Sequence, residues 1–192
     1  MTGMTARRSL GLVAANLILF WGVAASQGLK VEDDQRYLLL ATKKTSTMQK
    51  ELSEAAAMGF RVVAGSPTSG TEMALFLERQ ATPQNPYRYQ LLATSRTKTM
   101  EKELNEAALE GYQLLPGTMI AKKGMLSGVE IVVVLELTPV RTQRYSYKLL
   151  ATTRTRTLQK EVPEAQAQGF ELVGMVSRGE HIVIMEQATK TN

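Results

Sequence analysis

Tyr37-Leu-Leu-Leu-Ala-Thr-Lys-Lys-Thr-Ser-Thr-Met-Gln-Lys-Glu-Leu-Ser-Glu-Ala-Ala-Ala-Met-Gly-Phe60 decides the fold of this chain, because the chain writes the stretch three times. It returns without a gap at 89–112 and at 147–170, with 12 of 24 columns identical in all three copies. Internal duplication of this kind means one supersecondary unit repeated.

Each copy opens on a short apolar run, 37–42 in the first, which is too apolar to alternate and so predicts a strand covered on both faces. A polar, Thr-rich loop follows, and from Met48 the spacing turns helical. Met48, Leu52, Ala55 and Ala56 form one narrow stripe, while Gln49, Lys50, Ser53 and Glu54 face away. Thr47 stands as the N-cap and Gly59 as the left-handed residue after the last turn. A stripe of this much alanine must lie close against a sheet.

Residues 61–65 read as a second strand, 66–70 as a Pro/Ser/Gly turn and 72–79 as a third strand. The chain is therefore expected to be α+β, with three tandem βαββ units at 36–79, 88–137 and 144–187. Each unit should be a three-stranded mixed sheet with one helix on one face. The third strands are the most apolar (74–77, 131–135, 182–185), which places them centrally in the order first–third–second. The outer strands would then be edges open to pairing within or between chains. Residues 80–86 and 138–143 read as linkers. Pro163 falls where the other copies have Ser53 and Asn105, which predicts a short or kinked third helix.

Residues 1–26 differ from the rest. Arg7 and Arg8 precede an apolar run from Leu10 to Ala25, and small residues close it, as in a secretory signal peptide. The alternative is an uncleaved membrane anchor, the only membrane role this chain offers. An exported bacterial protein, periplasmic or secreted, is the expectation. With 192 residues, 44% of them hydrophobic, the chain can bury a sizeable core. Its formal charge of +5 falls to +3 without the arginine pair, a balance that does not call for nucleic acid. The absence of cysteine removes disulfides, thiolate nucleophiles and cysteine zinc sites.

The stretches Gly59-Phe60-Arg-Val-Val63, Gly111-Tyr112-Gln-Leu-Leu115 and Gly169-Phe170-Glu-Leu-Val173, each closing a helix and opening a strand, carry a resemblance. They resemble the small bacterial strand–helix–strand–strand domains of unknown function, here in triplicate as in a set of uncharacterised exported proteins. The resemblance implies a fold and brings no catalytic residue, cofactor or metal with it.

The sharpest candidate chemistry lies in the loops before the helices. Lys44, Thr45 and Thr47, with Arg96, Thr97 and Thr99, and Arg154, Thr155 and Thr157, offer helix-start N–H groups, hydroxyls and a cation to an anion. Three such loops could hold an acidic polymer. The competing reading is that the threonines cap helices and the cations solvate loops. Glu51/Glu54, Glu103/Glu106 and Glu161/Glu164 sit at i, i+3 and could meet on a cation around a threefold axis, or form a solvated face beside Lys50, Lys102 and Lys160. Glu72/Glu78, Glu130/Glu136 and Glu180/Glu186 read as strand ends in solvent, each pair about 20 Å apart. His181 is the sole histidine, so no nucleophile–base pair or histidine metal site can be assembled. The enzyme reading survives only through carboxylates and hydroxyls.

The second unit carries six extra residues, with Met119, Ile120, Met125 and Leu126 around a basic tip. They read either as an exposed patch for a partner or as a flap over a neighbouring unit. The functional expectation is a non-enzymatic binding or scaffold module that assembles with a protein partner or with itself. An anion or polyanion binder is the alternative and a carboxylate enzyme the outside reading.

Overall fold

The computed structural model describes residues 28–68, 71–81, 87–124, 128–140 and 143–190, so the signal-peptide reading of 1–26 and the roles given to Met125 and Leu126 fall outside the described residues. β1 (Tyr37–Thr42), α1 (Thr45–Ala57), β2 (Phe60–Pro67) and β3 (Met73–Arg79) come first. β4 (Arg88–Thr94), α2 (Thr97–Glu110), β5 (Gln113–Leu114), β6 (Ile120–Lys123) and β7 (Val129–Leu137) follow. β8 (Gln143–Thr152), α3 (Thr155–Ala167), β9 (Glu171–Ser177) and β10 (His181–Lys190) complete the described chain.

The strands form three sheets, ordered β1-β3-β2, β4-β7-β5 with β6 also on β7, and β8-β10-β9. The expected mixed sheets are instead antiparallel throughout. The first and second strands of a unit do run parallel, as a helix crossover requires, but the last strand separates them and pairs antiparallel with both. The second sheet also has four strands where three were expected. Pro116 cannot donate to the ladder, so the strand breaks there into a 3₁₀ turn, Pro116–Thr118. The buried hydroxyl of Thr118 repairs the gap by accepting the N–H of Val134 at 3.1 Å.

The helices start three residues earlier than read. The N-cap positions are Lys44, Arg96 and Arg154, none with a side-chain cap bond, and Thr47, Thr99 and Thr157 lie inside the first turn. The threonine that organises each start is the one ending the strand before it. Thr42, Thr94 and Thr152 accept the N–H of Lys44, Arg96 and Arg154 at 3.3, 3.1 and 3.1 Å. Gly59, Gly111 and Gly169 close the helices at φ of 85°, 98° and 88°, as the left-handed position demands. α3 is not shortened by Pro163, running 13 residues like α1. Pro163 and Gln159 are both exposed, so water reaches the carbonyl that lost its donor.

Packing turns the three sheets into a stack. Met48, Leu52, Ala55 and Ala56 of α1 share one core with Leu38, Leu40, Leu75 and Leu77 of their own sheet, and with Tyr89, Val132 and Val134 of the next. Met100, Leu104, Ala107 and Ala108 of α2 repeat this between Val133 and Leu135 behind them and Tyr147, Ile182 and Ile184 ahead. The layers therefore run sheet, helix, sheet, helix, sheet, helix, and no threefold axis brings the three units together. α3 ends the stack with one neighbouring sheet, and Ala165 is its one buried residue. Leu104 is 0% exposed, whereas Val162 at the same repeat position is only half-buried. Leu104→Ala is expected to cost about 2–5 kcal/mol and Val162→Ala about 1 kcal/mol or less in chemical denaturation; equal losses would show the last layer packed as tightly as the middle one.

Candidate functional site

The opening tyrosine and the closing glutamate of each copy lie directly opposite in register: Tyr37 with Glu78, Tyr89 with Glu136, Tyr147 with Glu186. In the second and third sheets this pair forms a joint to the layer before. Tyr89 donates its hydroxyl proton to Glu136 at 3.0 Å and accepts the backbone N–H of Val62, on the free edge of β2, at 3.0 Å. Arg61 meets Glu136 with two nitrogens, the shorter contact 2.8 Å, and the Glu136 side chain is 2% exposed. The next joint repeats the pattern. Tyr147 donates to Glu186 at 2.7 Å and accepts from Leu114 N–H at 2.8 Å, with Gln113 in the place of Arg61 at 3.1 Å from Glu186.

The helix of the preceding layer seals the free edge of the following sheet. Gln49 donates to Tyr89 O at 2.9 Å and accepts from Leu91 N–H at 2.7 Å. In the next layer the two jobs are split: Asn105 donates to Tyr147 O at 2.9 Å, and Glu101 accepts from Leu149 N–H at 2.7 Å. These bonds close an edge strand that would otherwise invite pairing.

The first sheet has the same face, and among the described residues nothing lies over it. Tyr37 is 50%, Leu39 51% and Phe76 48% exposed, where Tyr89 is 5% and Val134, at the repeat position of Phe76, is 0%. The expectation that β1 is covered on both faces is corrected: its residues alternate, with Leu38 and Leu40 buried and Tyr37, Leu39 and Ala41 outward. The polar half of the missing joint is filled locally. Gln35 donates to Tyr37 O at 2.9 Å, and Arg36 reaches Glu78 at 2.7 Å while lying over the Tyr37 ring. The Arg36 guanidinium holds the Glu78 carboxyl below the usual carboxylate range. Among the described residues, the apolar surface and the N–H of Leu39 remain uncovered.

The loops read as anion sites stay on separate layers. Arg178 of the β9–β10 turn donates to Thr97 Oγ1 at 3.0 Å and to Ser95 O, so acceptors of the second loop serve a cation of the protein itself. Glu103 lines the cleft beside Thr45 and Ser46, where an anion would meet its charge. The helix carboxylates pair along their helices, Lys50–Glu54 and Lys102–Glu106 at 3.6 Å and Lys160–Glu164 at 3.8 Å. Burial, then the neighbouring charge of Glu54, raises the Glu51 carboxyl. Among the described residues no three acidic or histidine side chains are grouped for a metal ion. His181 is half-buried at the start of β10.

One sequence reading fails here, and one of two alternatives falls away. Glu136 is not a strand end in solvent but the buried centre of a joint; the recurrence of Tyr and Glu in every copy was the available signal. Met119 and Ile120 do not form an exposed partner patch. Ile120 is 1% exposed in the first core and Met119 packs in the second, its sulfur against Gly174 of β9. The inserted segment bridges layers, and a glycine at 174 leaves room for it.

No helix of the described residues is long and apolar enough to cross a membrane. No family model, curated protein or solved structure matches the chain.

Burial, with the adjacent charges of Glu136 and Glu186 adding, pushes the hydroxyls of Tyr89 and Tyr147 far above the ordinary tyrosine value. The folded state thus holds these protons more tightly than the unfolded chain. Their contribution to stability is complete below about pH 10 and declines as pH rises above it. Spectrophotometric titration should find both tyrosines silent until alkaline unfolding, and Tyr89→Phe/Tyr147→Phe should abolish that late phase. Ionisation of all six tyrosines near pH 10 in the folded protein would contradict the joints.

Proposed function

We propose that this chain is an exported, non-enzymatic repeat scaffold that binds a protein partner through the uncovered rear face of its first sheet. The reading takes 36–79, 88–137 and 144–187 as three βαββ units in the order first–third–second, behind a signal peptide at 1–26. The resemblance to exported βαββ domains supports that architecture and adds nothing about chemistry.

The observation that carries the proposal is a contrast between the two ends of one stack. The last helix presents Gln159, Lys160, Pro163 and Gln166 outward, the polar surface expected of a terminal repeat. The first sheet presents Tyr37, Leu39 and Phe76 instead. Among the described residues only the first end leaves a contiguous apolar face open, and such a face marks a binding surface. The basic loops have less in their favour as a polyanion site, given Arg178 in the second and Glu103 beside the first.

The test is a Leu39→Asp/Phe76→Asp variant of the exported protein. Both side chains are about half exposed, so stability should change by no more than about 1 kcal/mol. Binding of the neutral apolar dye Nile red should fall to near background, and raising the salt concentration should not weaken the parent's binding. Dye binding that survives the double substitution would sink the proposal. Dye binding lost together with the melting transition would mean that the face is merely structural.

A further inference from the structure

We infer that the partner of the first sheet is a second copy of this chain, docked by its last helix, so that molecules join head to tail. The inference rests on the reading of the first face as a binding surface and names what covers it.

The chain itself shows what that face accepts. Twice, the rear face of a sheet is covered by the helix of the preceding layer, with the same bonds to the same two backbone groups. Gln49 takes Tyr89 O and Leu91 N–H; Asn105 and Glu101 take Tyr147 O and Leu149 N–H. The corresponding groups of β1 are Tyr37 O and Leu39 N–H. Gln35 serves the first, and no side chain among the described residues serves the second. α3 is the one α-helix among those described with no sheet ahead of it. It keeps Gln159 at the position of Gln49, exposed where Gln49 is half-buried. Its strand β9 keeps Leu172, 55% exposed, at the position of Val62 and Leu114, whose N–H groups bind the next tyrosine. Each end of the stack thus carries half of a contact that the interior makes twice. Because the halves sit at opposite ends, the contact is heterologous and propagates rather than closing as a two-fold dimer.

The intermolecular joint is weaker than the internal ones for three stated reasons. Gln166 stands where Ala56 and Ala108 allow close approach, and Pro163 replaces Asn105, which made a strand-edge bond. Glu171 stands where Arg61 and Gln113 met the glutamate, so two carboxylates share Arg36. Association is accordingly reversible and concentration-dependent, and Pro163→Asn/Gln166→Ala should strengthen it.

Sedimentation velocity on the exported protein over a wide concentration range tests this. Three further proteins are needed: the head variant Leu39→Asp/Phe76→Asp, a tail variant Gln159→Lys/Gln166→Lys, and Pro163→Asn/Gln166→Ala. The parent should associate, each blocked variant alone should stay monomeric, and a mixture of head- and tail-blocked chains should give one-to-one dimers and nothing larger. Pro163→Asn/Gln166→Ala should associate at a concentration about tenfold lower, the change expected when one hydrogen bond and its fit are restored. Association lost in the head variant but kept in the tail variant would replace head-to-tail docking with face-to-face pairing of first sheets. Monomers throughout, the strengthened variant included, would overturn self-assembly; the dye result would then decide separately whether the first face binds anything.

Discussion

The contact on which the stack depends is the hydroxyl of an opening tyrosine, held between its own sheet and the sheet before. Tyr89 gives its proton to Glu136 and takes the N–H of Val62. Each bond would be modest alone, but all three groups lie out of water, and an unmade bond there costs the full desolvation of the group left behind. The carboxylate of Glu136 sharpens this, because a buried charge is tolerable only while Arg61 and Tyr89 hold it. Sliding one layer past the next would strand that charge. Apolar burial holds the layers together, and the tyrosine–glutamate joint sets their relative placement.

The same joint explains why the helices can be so poor in large side chains. α1 and α2 lie between two sheets, and an alanine on each near side lets both sheets come close. Ala56 and Ala108 are 4% and 2% exposed. Where there is no second sheet, the constraint disappears and the residue becomes Gln166. At the first sheet the half-joint is only partly completed: Gln35 takes Tyr37 O and Arg36 takes Glu78, and among the described residues no side chain takes Leu39 N–H or covers the apolar face. Polar satisfaction and apolar cover are separate requirements, and among the described residues the first is met in part and the second is not.

Much of the fold was legible because the repeat gave three readings of each element. The helix stripe from Met48 to Ala56, the glycines that close the helices, and the central place of the most apolar strands all follow from local periodicity. What was not legible depended on contacts between copies. The apolar run at 37–42 could not show that its outward residues are covered at Leu91 and Leu149 but not at Leu39, because the covering helix comes from a different repeat. Glu136 looked like a strand end for the same reason: its partner Arg61 is 75 residues away. The helix starts were misplaced because Thr42 competes with Thr47 for the capping role from the strand side, a choice spacing alone cannot make. For Met119 and Ile120 the exposed patch and the flap over a neighbouring unit stayed equally open, because nothing local marks the groove between layers that receives them.

Hydrogen exchange at three amides reads the central claim, that one face is covered twice and left open once. Leu39, Leu91 and Leu149 share a repeat position on an edge strand; Gln49 holds the amide of Leu91 and Glu101 that of Leu149, at 2.7 Å each. In dilute solution, where any association is broken, the Leu91 and Leu149 amides should exchange slowly, in step with the core around them. The Leu39 amide should exchange orders of magnitude faster. Three amides protected alike would mean that the first face is covered within the chain, and the account of an open end would be wrong.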